Sequence, residues 1–237
     1  MPQVTLEATS GYLAVPTGPP PGPWPGVVVI HESWGLNGDI RAHADRLAGE
    51  GYLALAPDLY RGRSFARCFR DVFRQLHAGS GSAFDVIDAA RASLAARADS
   101  TGKTGVLGFC MGGGFALLCA PRGEFSVASV NYGEVPADAE RALAGSCPIV
   151  ASYGARDPMG AGPPGRLADA LTALDVPHDV KVYPGAGHSF MSTKPAALAP
   201  LARLARLDYK PESAEDSWQR IFAFFGEHLG SDPAAGT

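Results

Sequence analysis

Three side chains in this 237-residue chain could together do covalent chemistry, and their order along it is informative. Cys110 sits in Gly108-Phe109-Cys110-Met111-Gly112-Gly113, between the apolar run Gly105–Leu107 and an apolar stretch reaching Leu118. A Gly-x-Cys-x-Gly pattern at a strand–turn–helix junction reads as a nucleophile elbow with cysteine in place of the usual serine. Glycines two before and two after the nucleophile relieve collisions on so tight a turn. The sulfur then lies at a helix N-terminus, where the macrodipole favours negative charge. Two plainer readings compete. A cysteine opening an apolar helix is often only a small core residue. A dinucleotide-binding turn also follows a strand, but Gly-x-Gly-x-x-Gly needs glycine where Cys110 stands, and no phosphate-loop pattern occurs.

Acyl transfer by a thiol needs a base to manage its proton and an acid to hold the base in one tautomer. Gly154-Ala-Arg-Asp157 offers the acid and Pro184-Gly-Ala-Gly-His188 the base, in the order nucleophile, acid, histidine. Alone, Asp157 reads as a turn or cap residue and His188 as a loop residue. Jointly, the three make a Cys110–Asp157–His188 triad the better reading. His31-Glu32 begins like a zinc-binding His-Glu-x-x-His, but position 35 is glycine, so no metal site is expected.

The elements that must carry these residues alternate. Val27–Ile30 is a β-branched run expected of a strand covered on both faces. Tyr52–Ala56, Gly105–Leu107, Val127–Val130, Ile149–Tyr153 and Val180–Tyr183 are further strands. Between them, Asp39 is expected to cap a helix to about Gly49, and Ser82 to open one through about Ala98. Residues 61–81 are Arg-rich and irregular, with a helix from Phe65 to His77. Leu167–Leu174 and Ala214–Leu229 complete the helices. Near the start, Val4–Leu6 and Tyr12–Val15 flank Thr9-Ser10-Gly11 as a hairpin, and Pro16–Pro25 is a loop. This alternation predicts an α/β fold with a mainly parallel central sheet and helices on both faces. The whole chain, 1–237, reads as one domain, with 1–25 as hairpin and loop. Ligands on such sheets bind beyond the carboxyl ends of the strands. Glu32, Asp58, Cys110, Asp157 and His188 each follow a strand, which is stronger than any one motif.

Bulk properties remove other classes. A net charge of -4 leaves no footprint for nucleic acid. No apolar run is long enough to span a membrane, and the first residues show no basic-then-apolar leader, so a cytoplasmic protein is expected. Four cysteines without paired spacing argue against a disulfide framework or structural zinc.

The chain resembles the dienelactone hydrolase family of α/β hydrolases. The matching segments are His31-Glu-Ser-Trp-Gly-Leu36, Tyr52 through Pro57-Asp-Leu-Tyr60, Gly108-Phe-Cys-Met-Gly-Gly113, Asp157 and Gly187-His-Ser-Phe190. The resemblance implies the α/β-hydrolase fold, the Cys110–Asp157–His188 triad with Glu32 close to the sulfur, and an oxyanion hole from the Met111 and Ser33 amides. It implies no cofactor. The modest Glu134–Cys147 connection leaves little room for a cap domain. A carboxylate beside a thiol makes charging both costly, so Glu32 would keep the resting thiol neutral or accept its proton as substrate arrives. Seen alone, Glu32 would be a helix-cap or surface carboxylate.

The expected reaction is hydrolysis of a small lactone or activated ester through a thioester, by a monomer or small homo-oligomer. Trp34, Tyr60 and Ser192 are expected to line the substrate site. The family acts on a substrate with a free carboxylate, and an arginine is expected shortly after the histidine. Ser192 stands there instead, with Lys194, Arg63, Arg67 or Arg70 as replacements that no spacing rule separates. Rival readings are a broader carboxylesterase or thioesterase, and a reactive-thiol sensor without turnover.

Overall fold

Val27–Ile30 are fully shielded from solvent, and they alternate between two cores. Val28 and Ile30 pack in one apolar cluster and Val27 and Val29 in the other, as the period-two geometry of a strand requires. The computed structural model describes residues 3–6, 9–18, 21–63, 65–158, 164–193, 204, 206, 207 and 209–230. Its strands are β1 (Gln3–Leu6), β2 (Thr9–Ala14), β3 (Trp24–Ile30), β4 (Leu53–Pro57), β5 (Ser100–Phe109), β6 (Val127–Asn131), β7 (Ile149–Gly154) and β8 (His178–Tyr183). They form one sheet in the order β1-β2-β4-β3-β5-β6-β7-β8. β4 through β8 run parallel, while β1 and β2 join antiparallel at one edge. This is the mainly parallel sheet expected from the alternating pattern, and the α/β-hydrolase fold implied by the resemblance.

Helices cover both faces. α1 (Gly38–Gly49) packs on one side, and the core there takes Ile40, Ala44 and Leu47 together with Trp218, Ile221 and Phe225 from the last helix. On the other side lie α2 (Phe65–Ala78), α3 (Ser82–Ala95), α4 (Met111–Cys119), the four-residue α5 (Ala139–Ala142) and α6 (Pro164–Ala173). The last helix, α7, spans Pro211–Leu229. Only α5 interrupts the 134–147 connection, so nothing there forms a cap. No described helix is long and apolar enough to cross a membrane.

Several boundaries differ from expectation, each for a local reason. Leu6 pairs with Thr9, so Thr9–Gly11 belong to β2 rather than to the hairpin turn. The cap of α1 is Asn37, whose side chain accepts the Ile40 amide, while Asp39 turns elsewhere. β5 starts at Ser100, well before its apolar part, because Trp24 of β3 pairs with Ser100. α3 ends at Ala95 rather than Ala98, and α7 starts at Pro211, a proline suited to a first turn.

The chain leaves β3 for β4 on one side and returns past it to β5 on the other. Loops from the carboxyl ends of β3 and β5 therefore diverge, and the crevice between them is where ligands bind in open α/β sheets. Glu32 and Cys110 follow those two strands directly.

Candidate active site

The elbow is a product of close backbone packing. Cys110 has φ 55° and ψ −119°, at the N-terminus of α4. Its amide donates to the Asn131 carbonyl at 2.9 Å, and its own carbonyl accepts from Gly114 at 3.2 Å. A Cβ on Gly108 would fall on the Gly112 carbonyl, and one on Gly112 would strike the Ile30 carbonyl of β3. Glycine at both positions is thus demanded by space. Met111 is the first residue of α4, where an amide has no intrahelical acceptor.

His188 and Asp157 come together from the loops after β8 and β7. The Ala155 amide donates to the Tyr183 carbonyl at 3.0 Å and the Arg156 amide to the Ala186 carbonyl at 2.9 Å, lashing the two loops together. His188 Nδ1 lies 2.7 Å from Asp157 Oδ2, with side chains only 6% and 8% exposed. Burial opposes charge on this ring. The hydrogen bond and charge of Asp157, together with the nearby Cys110 sulfur, outweigh it and raise the His188 pKa to about 10. Nε2, the other ring nitrogen, is buried and makes no hydrogen bond.

Ser33 Oγ lies 3.8 Å from Cys110 Sγ, which brings the loop after β3 against the elbow. Glu32 is buried, and its Oε1 accepts from Ser192 Oγ at 2.7 Å and from the Tyr132 hydroxyl at 3.2 Å. Tyr60 is also buried and donates from its hydroxyl to the Ser33 carbonyl at 2.6 Å. Burial, with Cys68 and Cys110 nearby, pushes its phenol well up. Trp34 is 65% exposed on the same loop.

Ser192 needs separate comment. It stands where the resemblance leads one to expect a substrate-binding cation, yet its side chain is buried and its hydroxyl donates to Glu32, with the Tyr132 hydroxyl oxygen 3.1 Å away. Of the alternative cations, Arg63 Nε donates to the Tyr60 carbonyl at 3.5 Å and Arg70 is exposed. Lys194 and the side chain of Arg67 lie outside the described residues.

Two residues were missed in the sequence. Asn131 holds the Cys110 amide through its carbonyl and donates from its side chain to the Gly108 carbonyl at 3.1 Å. Tyr132, at φ 43°, bonds Glu32 and sets its ring edge-on to His188, centroids 5.1 Å apart. Burial and the Glu32 charge hold its phenol far above its usual range. The signal was available: Asn131-Tyr132 directly follows the apolar run of β6, as the other site residues follow theirs.

The remaining cysteines are set apart from this cluster. Cys68 and Cys119 are buried, and burial pushes the Cys119 thiol well up and that of Cys147 to about 12. Among the described residues no three His, Cys, Asp or Glu side chains are grouped to hold a metal ion.

The chain that carries this elbow and the buried imidazole–carboxylate pair matches a known family over nearly its whole length. Residues 9–229 fit the dienelactone hydrolase family. The chain belongs to that family. A carboxymethylenebutenolidase-like protein of Escherichia coli (strain K12) is 32% identical over 234 residues, covering 88% of this chain and 79% of that protein. Another from Saccharolobus solfataricus is 28% identical over 251 residues, covering 90% and 91%. The crystal structure of a dienelactone hydrolase-like protein from Klebsiella pneumoniae superposes with a TM-score of 0.74 at 27% identity, covering 95% of this chain and 98% of that one. As a dienelactone hydrolase family member, the chain is a hydrolase of carboxylic esters or lactones acting on a small molecule.

Proposed function

We propose that this hydrolase opens lactones and activated esters through a thioester on Cys110. The observation that carries the reading is the His188–Asp157 pair at 2.7 Å, with Nε2 buried and turned to the elbow side of the ring, where it exchanges a proton with the sulfur. In the first half-reaction His188 holds the thiol proton and Sγ attacks the carbonyl carbon. The oxyanion forms against the Met111 and Ser33 amides, a donor of this kind being worth about 3–4 kcal/mol in the transition state. The acyl C–O bond then breaks, and the leaving oxygen takes the proton from His188. In the second, His188 removes a proton from water, the hydroxide attacks the thioester and the C–S bond breaks. Asp157 keeps the proton of neutral His188 on Nδ1 throughout.

Glu32 sits at the same crevice as a buried carboxylate held by two hydroxyls, placed to bias where the thiol proton resides before substrate arrives. An enol lactone suits cysteine, because its leaving group is already stabilised, whereas alkyl esters with poor leaving groups should be slow. Ser192 is engaged by Glu32 and supplies no charge for a substrate carboxylate, so neutral activated esters are substrates alongside anionic lactones. Trp34 and Tyr60 complete the substrate wall. We place this activity in a single domain spanning 1–237, in a monomer or small homo-oligomer, in the cytoplasm, where four unpaired thiols stay reduced.

The test is a screen of enol lactones and aryl esters with wild type and Cys110→Ala, in reductant. Turnover by wild type and its loss in Cys110→Ala are expected, with an acyl group trapped by mass spectrometry on the peptide holding Cys110. Full turnover by Cys110→Ala would remove the thioester from the mechanism.

A further inference from the structure

His31 is the most completely buried ionisable side chain beside the crevice, and the chemistry above gives it no task. Its two ring nitrogens are both engaged. The Leu59 amide donates to Nε2 at 3.1 Å, and Nδ1 lies 2.7 Å from the Glu32 carbonyl oxygen. An amide can only donate, so Nε2 must carry the lone pair and the ring proton must be on Nδ1. The Glu32 carbonyl then accepts from Nδ1, and also from the Gly35 amide at 3.0 Å.

That carbonyl belongs to the peptide joining Glu32 to Ser33. In a trans peptide the C=O and N–H point in opposite directions in one plane, so fixing the Glu32 oxygen fixes the Ser33 amide. Two donors on the oxygen also polarise the unit and strengthen its N–H as a donor. Ser33 is the residue whose side chain touches the Cys110 sulfur. Leu59, at the far end of the relay, follows β4, so His31 ties the β4 exit to the loop after β3 through one neutral ring.

We propose that His31 is a positioning residue for the oxyanion hole: a permanently neutral imidazole, protonated on Nδ1, that aims and polarises the Ser33 amide. This inference rests on the functional reading above and adds a residue to it. Both hydrogen bonds of the ring fit a neutral state. Asp58 Oδ1 stands 3.9 Å from Nε2 and favours charge, but the ring is fully buried, with the Tyr60 ring edge-on at 5.1 Å. Desolvation dominates over the raising influence of Glu32 and Asp58 and moves the His31 pKa down.

The experiment compares wild type, His31→Leu and His31→Gln in three measurements. Glutamine, like the neutral ring, offers one donor and one acceptor, whereas leucine offers neither. With p-nitrophenyl acetate, kcat of His31→Leu should fall about ten- to a hundredfold with KM little changed, less than deleting an oxyanion donor outright. His31→Gln should recover most of it. Alkylation of Cys110 by iodoacetamide displaces iodide and forms no oxyanion, so its rate should be the same in all three. In wild type, ring nitrogen shifts should report neutral, Nδ1-protonated His31 from about pH 5 to 9, where an ordinary histidine titrates.

An unchanged kcat in His31→Leu, or a ring that titrates in that range, would overturn the proposal. So would alkylation falling in parallel with kcat, since His31 would then merely hold the fold around the nucleophile. Wild type with no ester turnover would bring down the functional reading itself, whereas an active wild type with an insensitive His31→Leu brings down only this one.

Discussion

Two helices leave adjacent parallel strands at the same end of the sheet, and their N-termini are built in opposite ways. α1, after β3, starts from Asn37 in extended backbone, with the Asn37 side chain accepting the Ile40 amide at 3.0 Å and Asp39 in the first turn. α4, after β5, starts from Cys110 at φ 55°, with no side-chain cap and no acid in its first turn. The first arrangement satisfies orphan amides and neutralises the dipole. The second leaves amides and dipole to whatever arrives and holds the backbone where a side chain is strained. One helix start is closed and the other left open, the end where the proposed chemistry would take place, and the sheet supplies the rigidity that makes the second tolerable.

The sharpest way to break this comparison is at Cys110 itself. Cys110→Gly and Cys110→Ala should each lose turnover by about 10⁴-fold or more, the scale seen when a nucleophile is removed. Their stabilities should differ, however. Glycine accepts φ 55° freely and alanine does not, so Cys110→Gly should be the more stable of the two by about 1 kcal/mol. Urea midpoints decide it. Equal midpoints would mean that the elbow stores no strain.

A second effect follows from the pair beside the elbow. The folded pKa of His188 is raised from 6.5 to about 10. A raised pKa means that the folded state binds the proton more tightly than the unfolded one. The stabilisation is therefore complete below 6.5 and is lost as pH climbs towards about 10. Both side chains are nearly buried, so a loss of a few kcal/mol across that window is expected for wild type. Asp157→Asn should flatten this slope. If unfolding free energies of wild type and Asp157→Asn stay parallel with pH, the pair is not a charged one.

Much of the fold was legible because strands and helices here announce themselves locally. Val27–Ile30 is β-branched throughout, and Gly108 and Gly112 bracket Cys110 because backbone from β3 and α4 presses on both. What escaped was set by contacts between distant segments. Ser192 reads as a residue lining the substrate site, and its bond to Glu32, 160 positions earlier, appears only when the loop after β8 folds over. Tyr132 carries no motif beyond its place after the β6 run, and its partners appear only when Glu32 and His188 close on it from two sides. The type and position of Asp39 suggest a cap, but Asn37 has the extended backbone a cap needs.

That exchange of roles between Asn37 and Asp39 yields the smallest effect. Asp39 Oδ1 accepts from the Thr193 amide at 3.1 Å and from its hydroxyl, and Oδ2 lies 3.5 Å from His43 Nε2. Although burial pulls the other way, these partners lower the Asp39 pKa to about 2. The first turn of α1 thus has two separate attachments: Asn37 closes the helix, and Asp39 ties it to Thr193, five residues beyond His188. Asn37→Ala removes only the first and should cost about 1 kcal/mol of stability, as for other caps, with kcat/KM essentially unchanged. Asp39→Asn keeps the side chain's shape and an acceptor for Thr193 but removes the charge, so it should shift the acid limb of stability and leave the cap intact. Its sign follows from the lowered pKa: stability is present above 3.8 and fades as pH falls towards about 2. Chemical denaturation at neutral and acid pH separates the two variants. An Asn37→Ala variant that loses activity as well as stability would show that the closed helix start of α1 also positions the loop bearing His188, and the division between the two helices would fail.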